Sequence, residues 1–197
     1  MSWRLGNMGQ PKYEGLTVLY DKGKRHFNGV VRCHPDTLAI PRRWRKSRWI
    51  FVNSMSDLLH RDVPVEFIQQ VFAVMNECPQ HRFQILTKRP ERALELATKL
   101  HWTENILMGT SIENEDVSSR VEPLRAIPAR VRFLSLERLI GPQSNLDLSG
   151  IHWVIVGGES GPKLRPMDQV WVRDIRDQCV TAGVAFFFKQ WGGVNKK

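Results

Sequence analysis

The sequence predicts an α/β fold, an incomplete parallel (β/α) barrel, and three observations carry that prediction. Six apolar runs of strand length each end in a cluster of polar residues. Their starts, at Trp49, Phe83, Ile106, Val131, Trp153 and Val184, lie 34, 23, 25, 22 and 31 residues apart, close to the roughly 30 residues per βα unit of a barrel of about 250 residues. The stretches between them mostly carry helical periodicity, and a strand–helix–strand crossover makes a parallel sheet.

The reading is of a single (β/α) domain over residues 1–197, with a basic arm at about 1–48 and a core at about 49–191. The arm opens with little periodicity, much Gly and Lys, and a turn expected at Asp21-Lys22-Gly23-Lys24. Gly29-Val30-Val31-Arg32 predicts a short strand, and His34 to Leu38 a short helix that Pro41 interrupts. His34, alone beside a proline, reads as a surface residue. The strand begun by Trp49 delivers Asn53, Ser54, Ser56 and Asp57. Asp57 suits either a general base or a turn cap.

Val65 to Met75 predicts a helix, with Ile68, Val71, Phe72 and Met75 on one face, Pro64 at its start and Pro79 past its end. The next strand ends in Thr87, Lys88 and Arg89. Two cations there suit a carboxylate or phosphate, which Arg89 can grip with both arms of its fork. A helix is expected from Pro90 to Leu100, with Leu94 and Ala97 sharing a face. After the strand from Ile106 come Ser111 and Glu113, then a helix from Asn114 to Ile127, capped by Asn114 and favoured by Glu115 and Asp116 in its first turn.

The strand from Val131 ends at Glu137, and Leu139 to Ile151 replaces the expected helix with a loop containing Gly141, Pro142 and Gly150. Trp153-Val154-Ile155-Val156 is apolar throughout, as in a strand buried on both faces. It stops at Gly157, Gly158, Glu159 and Ser160, where glycines let a ligand approach the backbone; taken alone this is also an ordinary βα turn. A basic turn from Gly161 to Pro166 precedes a helix from Asp168 to Ala182, closed by Gly183. The last strand ends in Lys189 and Gln190. In parallel sheets ligands bind where the strand carboxyl ends converge, so one common pocket is the economical reading of these clusters.

Net charge is +9, and residues 1–50 alone carry +8. The densest stretch, Arg42-Arg43-Trp44-Arg45-Lys46-Ser47-Arg48-Trp49, interleaves cations with indoles, a composition suited to phosphates and stacked bases. The favoured reading is plainer: a solvated basic segment with Trp44 and Trp49 in the core. No apolar run approaches the roughly 20 residues that span a bilayer, no apolar leader is present, and a cytoplasmic protein with no membrane partner is the expectation. Cys33, Cys78 and Cys179 lie 45 and 101 residues apart, which fits no metal-ligand spacing, so reduced thiols and no metal site are expected.

The motifs FVNSMSDL, LTKRPER, VRFLS, LIGP, WVIVGGESGP and FFFKQWGG, in that order, resemble the phage and bacterial Gp37/Gp68 family of unknown function, from about Trp3 to Trp191. Members of that family resemble radical S-adenosylmethionine proteins. The resemblance implies a radical-SAM-like partial TIM barrel using S-adenosylmethionine and a [4Fe–4S] cluster held by three thiolates, with a small-molecule or macromolecular substrate that remains unspecified. In the family a cysteine triplet precedes the part that Met1 to Tyr13 resembles, and this chain lacks it. Catalysis is therefore expected only if that segment is restored.

What carries over is a cofactor and substrate pocket at Asn53, Ser54, Ser56, Asp57, Thr87, Lys88, Arg89, Ser111, Glu113, Glu137, Gly157, Gly158, Glu159, Ser160, Lys189 and Gln190. Gly157-Gly158-Glu159 resembles the radical enzymes' motif that contacts the cofactor amino group. There it follows an early strand and here a late one, so the two are not equated. Arg138 stands where the family has proline. Two alternatives are a nucleic-acid-binding phage or prophage protein acting through Arg42, Arg43, Arg45 and Lys46, and a phage remnant that keeps the fold without the activity.

Overall fold

The computed structural model describes residues 13–19, 25–161 and 164–193. The turn expected at 21–24 and the basic tail after Gly193 lie outside them. Among the described residues, strands β3 (Trp49–Val52), β4 (Arg82–Thr87), β5 (Ile106–Ser111), β6 (Val131–Glu137), β7 (Trp153–Gly157) and β8 (Ala185–Gln190) form one sheet in sequence order. Every neighbouring pair is parallel. The sheet is curled into a half-barrel. Trp49 on β3 and Trp153 on β7 have ring centroids 6.5 Å apart, whereas four strand spacings in a flat sheet separate such strands by roughly 19 Å.

Residue parity follows from the pleat. On the convex face Phe83, Ile85, Met108, Leu134, Val154 and Val156 are buried beneath the helices. On the concave face stand Gln84, Leu86, Phe133, Ser135, Ile155 and Phe187. Gly109 belongs to this second set. A methyl group added there would land in the Phe133 ring, which is buried across the neighbouring strand.

The helices follow the expected order with three revisions. Helix α1 (Val65–Glu77) buries Ile68, Phe72, Val74 and Met75. Helix α2 stops at Glu95 after starting at Pro90, and Ala97–Lys99 continues as a 3-10 turn. Trp102 donates to the Ala97 carbonyl at 3.1 Å in place of a helical amide, and Ala93 is buried where Leu94 is exposed. Between Asn114 and Ile127 a 3-10 segment, Glu115–Arg120, precedes α3 (Val121–Ala126). Pro123 has no amide to offer Ser119, which breaks an α-helix upstream while fitting the first turn of α3. The Asn114 side chain does not cap; it donates to Asp116 at 2.6 Å. Helix α4 (Gln169–Ala182) agrees at both ends: Asp168 accepts from the Val170 amide and Gly183 is left-handed at φ 67°.

The arm holds a small antiparallel hairpin, β1 (Thr17–Leu19) with β2 (Arg25–Phe27). The strand expected at Gly29–Arg32 does not form. Asn28 turns the chain by accepting the Val30 amide, Gly29 is at φ 84°, and no strand among the described residues lies alongside to pair with it. Pro35–Thr37 and Pro41–Arg43 are 3-10 turns, so Pro41 begins a second turn where an interruption was expected. Trp44 is half-buried, but Trp49 is 66% exposed, against the expectation of a core residue. It stands on the concave side at the start of an edge strand, and among the described residues no further strand covers it.

Candidate functional site

The concave face and the strand carboxyl ends enclose an open cavity of about 1490 Å³. Its wall is aromatic. Trp153 packs against Trp49, Phe133 and Phe187 at centroid distances of 6.5, 5.7 and 6.4 Å, and Phe187 remains 51% exposed towards the opening. The mouth is polar. Asn53, Ser54, Ser56, Asp57, Thr87, Lys88, Arg89, Ser111, Glu137 and Lys189 all border the cavity. Glu113, Gly157, Gly158, Glu159, Ser160 and Gln190 do not border it.

Asp57 is the structural hub of the mouth. Its Oδ1 accepts from the Leu59 amide (2.9 Å) and the Thr87 hydroxyl (2.8 Å), and its Oδ2 from the Lys88 amide (3.2 Å) and Arg89 (2.8 Å). With both oxygens doubly engaged, Asp57 ties the β3 end to the β4 end. That geometry favours the cap over the base, the two uses that sequence left open.

Glu113 bridges Lys88 and Arg120. Burial alone pushes its carboxyl up, but hydrogen bonds from Lys88 and then the charge of both cations outweigh that and hold it below the usual range. Glu159 is clamped by Arg165 (2.9 Å) and Arg138 (2.9 Å), and its pKa falls to about 2, chiefly through the Arg165 and Arg138 hydrogen bonds. A depressed carboxylate stabilises the fold above its unfolded pKa and loses that contribution as pH falls through its folded value. Stability is therefore expected to fall from about pH 5 towards pH 2, and Glu159→Gln to flatten that slope in urea titrations across the window.

These carboxylates sit back while their cations face out. Glu113 and Glu159 side chains are 15% and 16% exposed, against 50% for Lys88 and 53% for Arg138. Of the described residues bordering the cavity, Arg32, Lys88, Arg89, Arg138 and Lys189 are cations, and Asp57 and Glu137 are the carboxylates. The opening therefore presents net positive charge. Lys189 reaches Glu137 at 2.8 Å beside Gly157. The Glu137–Arg138 peptide is cis.

The GGE turn does something other than cradle a ligand. The Gly158 amide donates to the Gln190 carbonyl at 2.9 Å, and the Gly193 amide to the Glu159 carbonyl at 3.1 Å. Ser160 accepts from Gln190 at 2.6 Å. The β7 and β8 ends are sewn together, and Gly158 lies so close to the Trp191 carbonyl that no side chain fits. At Gly158 the group that approaches the glycine is the chain's own backbone, as in an ordinary βα turn.

Arg120, Arg138, the aromatic wall and the arm residues Arg32, Cys33 and His34 were not among the expected site residues. His34 is half-buried against the cavity, not a surface residue. The wall was findable by counting back in twos from Lys189 to Phe187 and from Glu137 to Ser135 and Phe133. No such rule reaches Arg120 or the arm, which fold back onto the site from elsewhere.

A family model described as protein of unknown function (DUF5131) matches residues 1–197. Searches among curated proteins and among solved structures find no match.

Proposed function

We propose that this chain, which belongs to the DUF5131 family over residues 1–197, binds on its concave face a small anionic molecule with a flat apolar part. The observation that carries this reading is one cavity combining an aromatic wall with a cation-rich mouth at the carboxyl ends of six parallel strands. An aromatic floor takes a planar group by stacking, and exposed Lys and Arg fix a carboxylate or phosphate at the other end.

The finer reading is a radical-S-adenosylmethionine-like protein of the phage Gp37/Gp68 kind, supported by the resemblance of its motifs and by the open half-barrel. The described residues do not fit the cluster of such proteins. Cys78 and Cys179 are buried in the core, Cys33 alone borders the cavity, and no group of three His, Cys, Asp or Glu among the described residues could hold a metal. Burial pushes all three thiols up, Cys179 to about 11. No radical step is assigned to these residues.

The test uses 8-anilinonaphthalene-1-sulfonate, a flat apolar anion whose fluorescence rises on binding. The native chain is expected to bind it, and Lys189→Ala with Arg138→Ala to weaken binding about tenfold or more. Competition then divides the two readings. Displacement by adenosine monophosphate in preference to S-adenosylmethionine supports the anionic-ligand reading; preferential displacement by S-adenosylmethionine supports the finer one. Binding insensitive to both substitutions removes the cavity as the site.

A further inference from the structure

We infer that the surface formed by Arg43, Arg45, Lys46, Arg48, Arg82 and Trp49 binds single-stranded nucleic acid, independently of the concave cavity. Arg48 immediately precedes β3, and Arg82 opens β4 beside Trp49 in the parallel register. These residues lie at the amino ends of the strands, while the cation-rich mouth lies at the carboxyl ends, roughly 20 Å away along a six-residue strand.

The charge here is uncompensated. Around the cavity mouth Lys88, Arg89, Arg120, Arg138, Arg165 and Lys189 each have a carboxylate partner, and Arg32 donates to the Glu14 carbonyl at 2.7 Å. Within Arg42–Arg48 only Arg42 has one, Glu77 at 2.6 Å; elsewhere at this end Arg130 pairs with Glu104 at 2.9 Å. Among the described residues Arg43, Arg45, Lys46, Arg48 and Arg82 have none, and all five are exposed. Structural ion pairing therefore does not account for them.

The surface is also held in place. The buried His81 ring sets Nε2 3.0 Å from the Pro41 carbonyl and lies edge-on to Trp44 at 6.0 Å, which fixes the turn against the start of β4. The Arg48 guanidinium stacks over the Trp44 ring at 4.6 Å, so its rotamer is largely set before any ligand arrives. Next to Arg48 in the chain and in register with Arg82 stands the exposed indole of Trp49, which touches Trp153 but does not itself border the cavity. Unpaired cations that track a phosphate chain, next to a flat face that accepts a base, are the two elements of sequence-tolerant single-strand binding. The segment is a 3-10 turn leading into a strand, with no helix here to lie in a duplex groove.

The experiment is fluorescence anisotropy of a labelled twelve-residue oligothymidylate with the full chain between 50 and 300 mM KCl. Binding is expected with a log–log salt slope of about −3.5, from five cations on a single strand. The triple change Arg43→Ala, Arg45→Ala and Lys46→Ala should weaken binding about thirtyfold at the lowest salt and reduce the slope by about 2. Trp49→Ala should weaken it about tenfold and leave the slope alone. These side chains are exposed, so the triple variant should keep the native circular dichroism and urea midpoint. Absence of binding at 50 mM KCl, or binding that ignores salt, overturns the inference. So does binding lost through Lys189→Ala and Arg138→Ala in place of the triple change, which puts the strand in the cavity. Binding of phosphatidylserine vesicles without oligothymidylate overturns it in favour of a membrane surface.

Discussion

Gly158→Ala is expected to destabilise the protein by about 3 kcal/mol or more, while Gly157→Ala, one residue earlier, costs less than about 1 kcal/mol. The two glycines look alike in the sequence and do opposite things. A methyl group at 157 would meet the Glu137 and Lys189 side chains at 3.4 to 3.6 Å, ordinary contact with flexible groups that can lean aside. At 158 it would fall on the Trp191 carbonyl, and a methyl at Gly192 would likewise clash with the Glu159 backbone. Backbone meets backbone there, so relief requires parting β7 from β8 beyond Val156 and breaking the hydrogen bonds of Gly158 and Gly193. Truncating Trp191 should not rescue Gly158→Ala, because the obstacle is a carbonyl. Gly109→Ala, whose obstacle is the Phe133 side chain, should be partly rescued by Phe133→Leu. Urea denaturation of the five single variants and the two doubles reads all of this. Equal costs at 157 and 158 would show that the β7–β8 joint is not packed as described.

The strands and their direction were legible because six apolar runs with helical spacers leave few alternatives to a parallel sheet, and all six stand where their runs begin or within two residues. The ends of α4 were legible because Asp168 and Gly183 act on adjacent backbone. Hidden features depended on contacts distant in sequence. The exposure of Trp49 follows from β3 being an edge, which depends on what lies beside it. Glu159 read as a charge free for a ligand, and nothing local in Gly157-Gly158-Glu159 foretells that Arg138 and Arg165 occupy it. The break before Val121 was legible in Pro123, which lies inside the stretch expected as one helix.

Asp57→Asn should cost about 3 kcal/mol, whereas Arg89→Met, which removes the charged partner, should cost about 1 kcal/mol or less. The asymmetry comes from what each side chain leaves behind. Arg89 is well exposed, and without it Asp57 still accepts from Leu59, Thr87 and Lys88. Asparagine at 57 keeps the shape but turns one oxygen into an NH₂ group. Whichever way it points, that group faces a backbone amide that can only donate, either Leu59 or, with the Arg89 guanidinium, Lys88. Rotation cannot repair this, since both former oxygens were doubly engaged. The β3 and β4 ends should then part, carrying Lys88 and Arg89 away from the cavity mouth, so anilinonaphthalene sulfonate binding should weaken together with stability. A general base would behave differently: its isosteric amide would leave both quantities near their native values. Urea denaturation and dye titration of the same Asp57→Asn preparation decide between strut and base, and the four filled acceptor positions place the expectation on the strut.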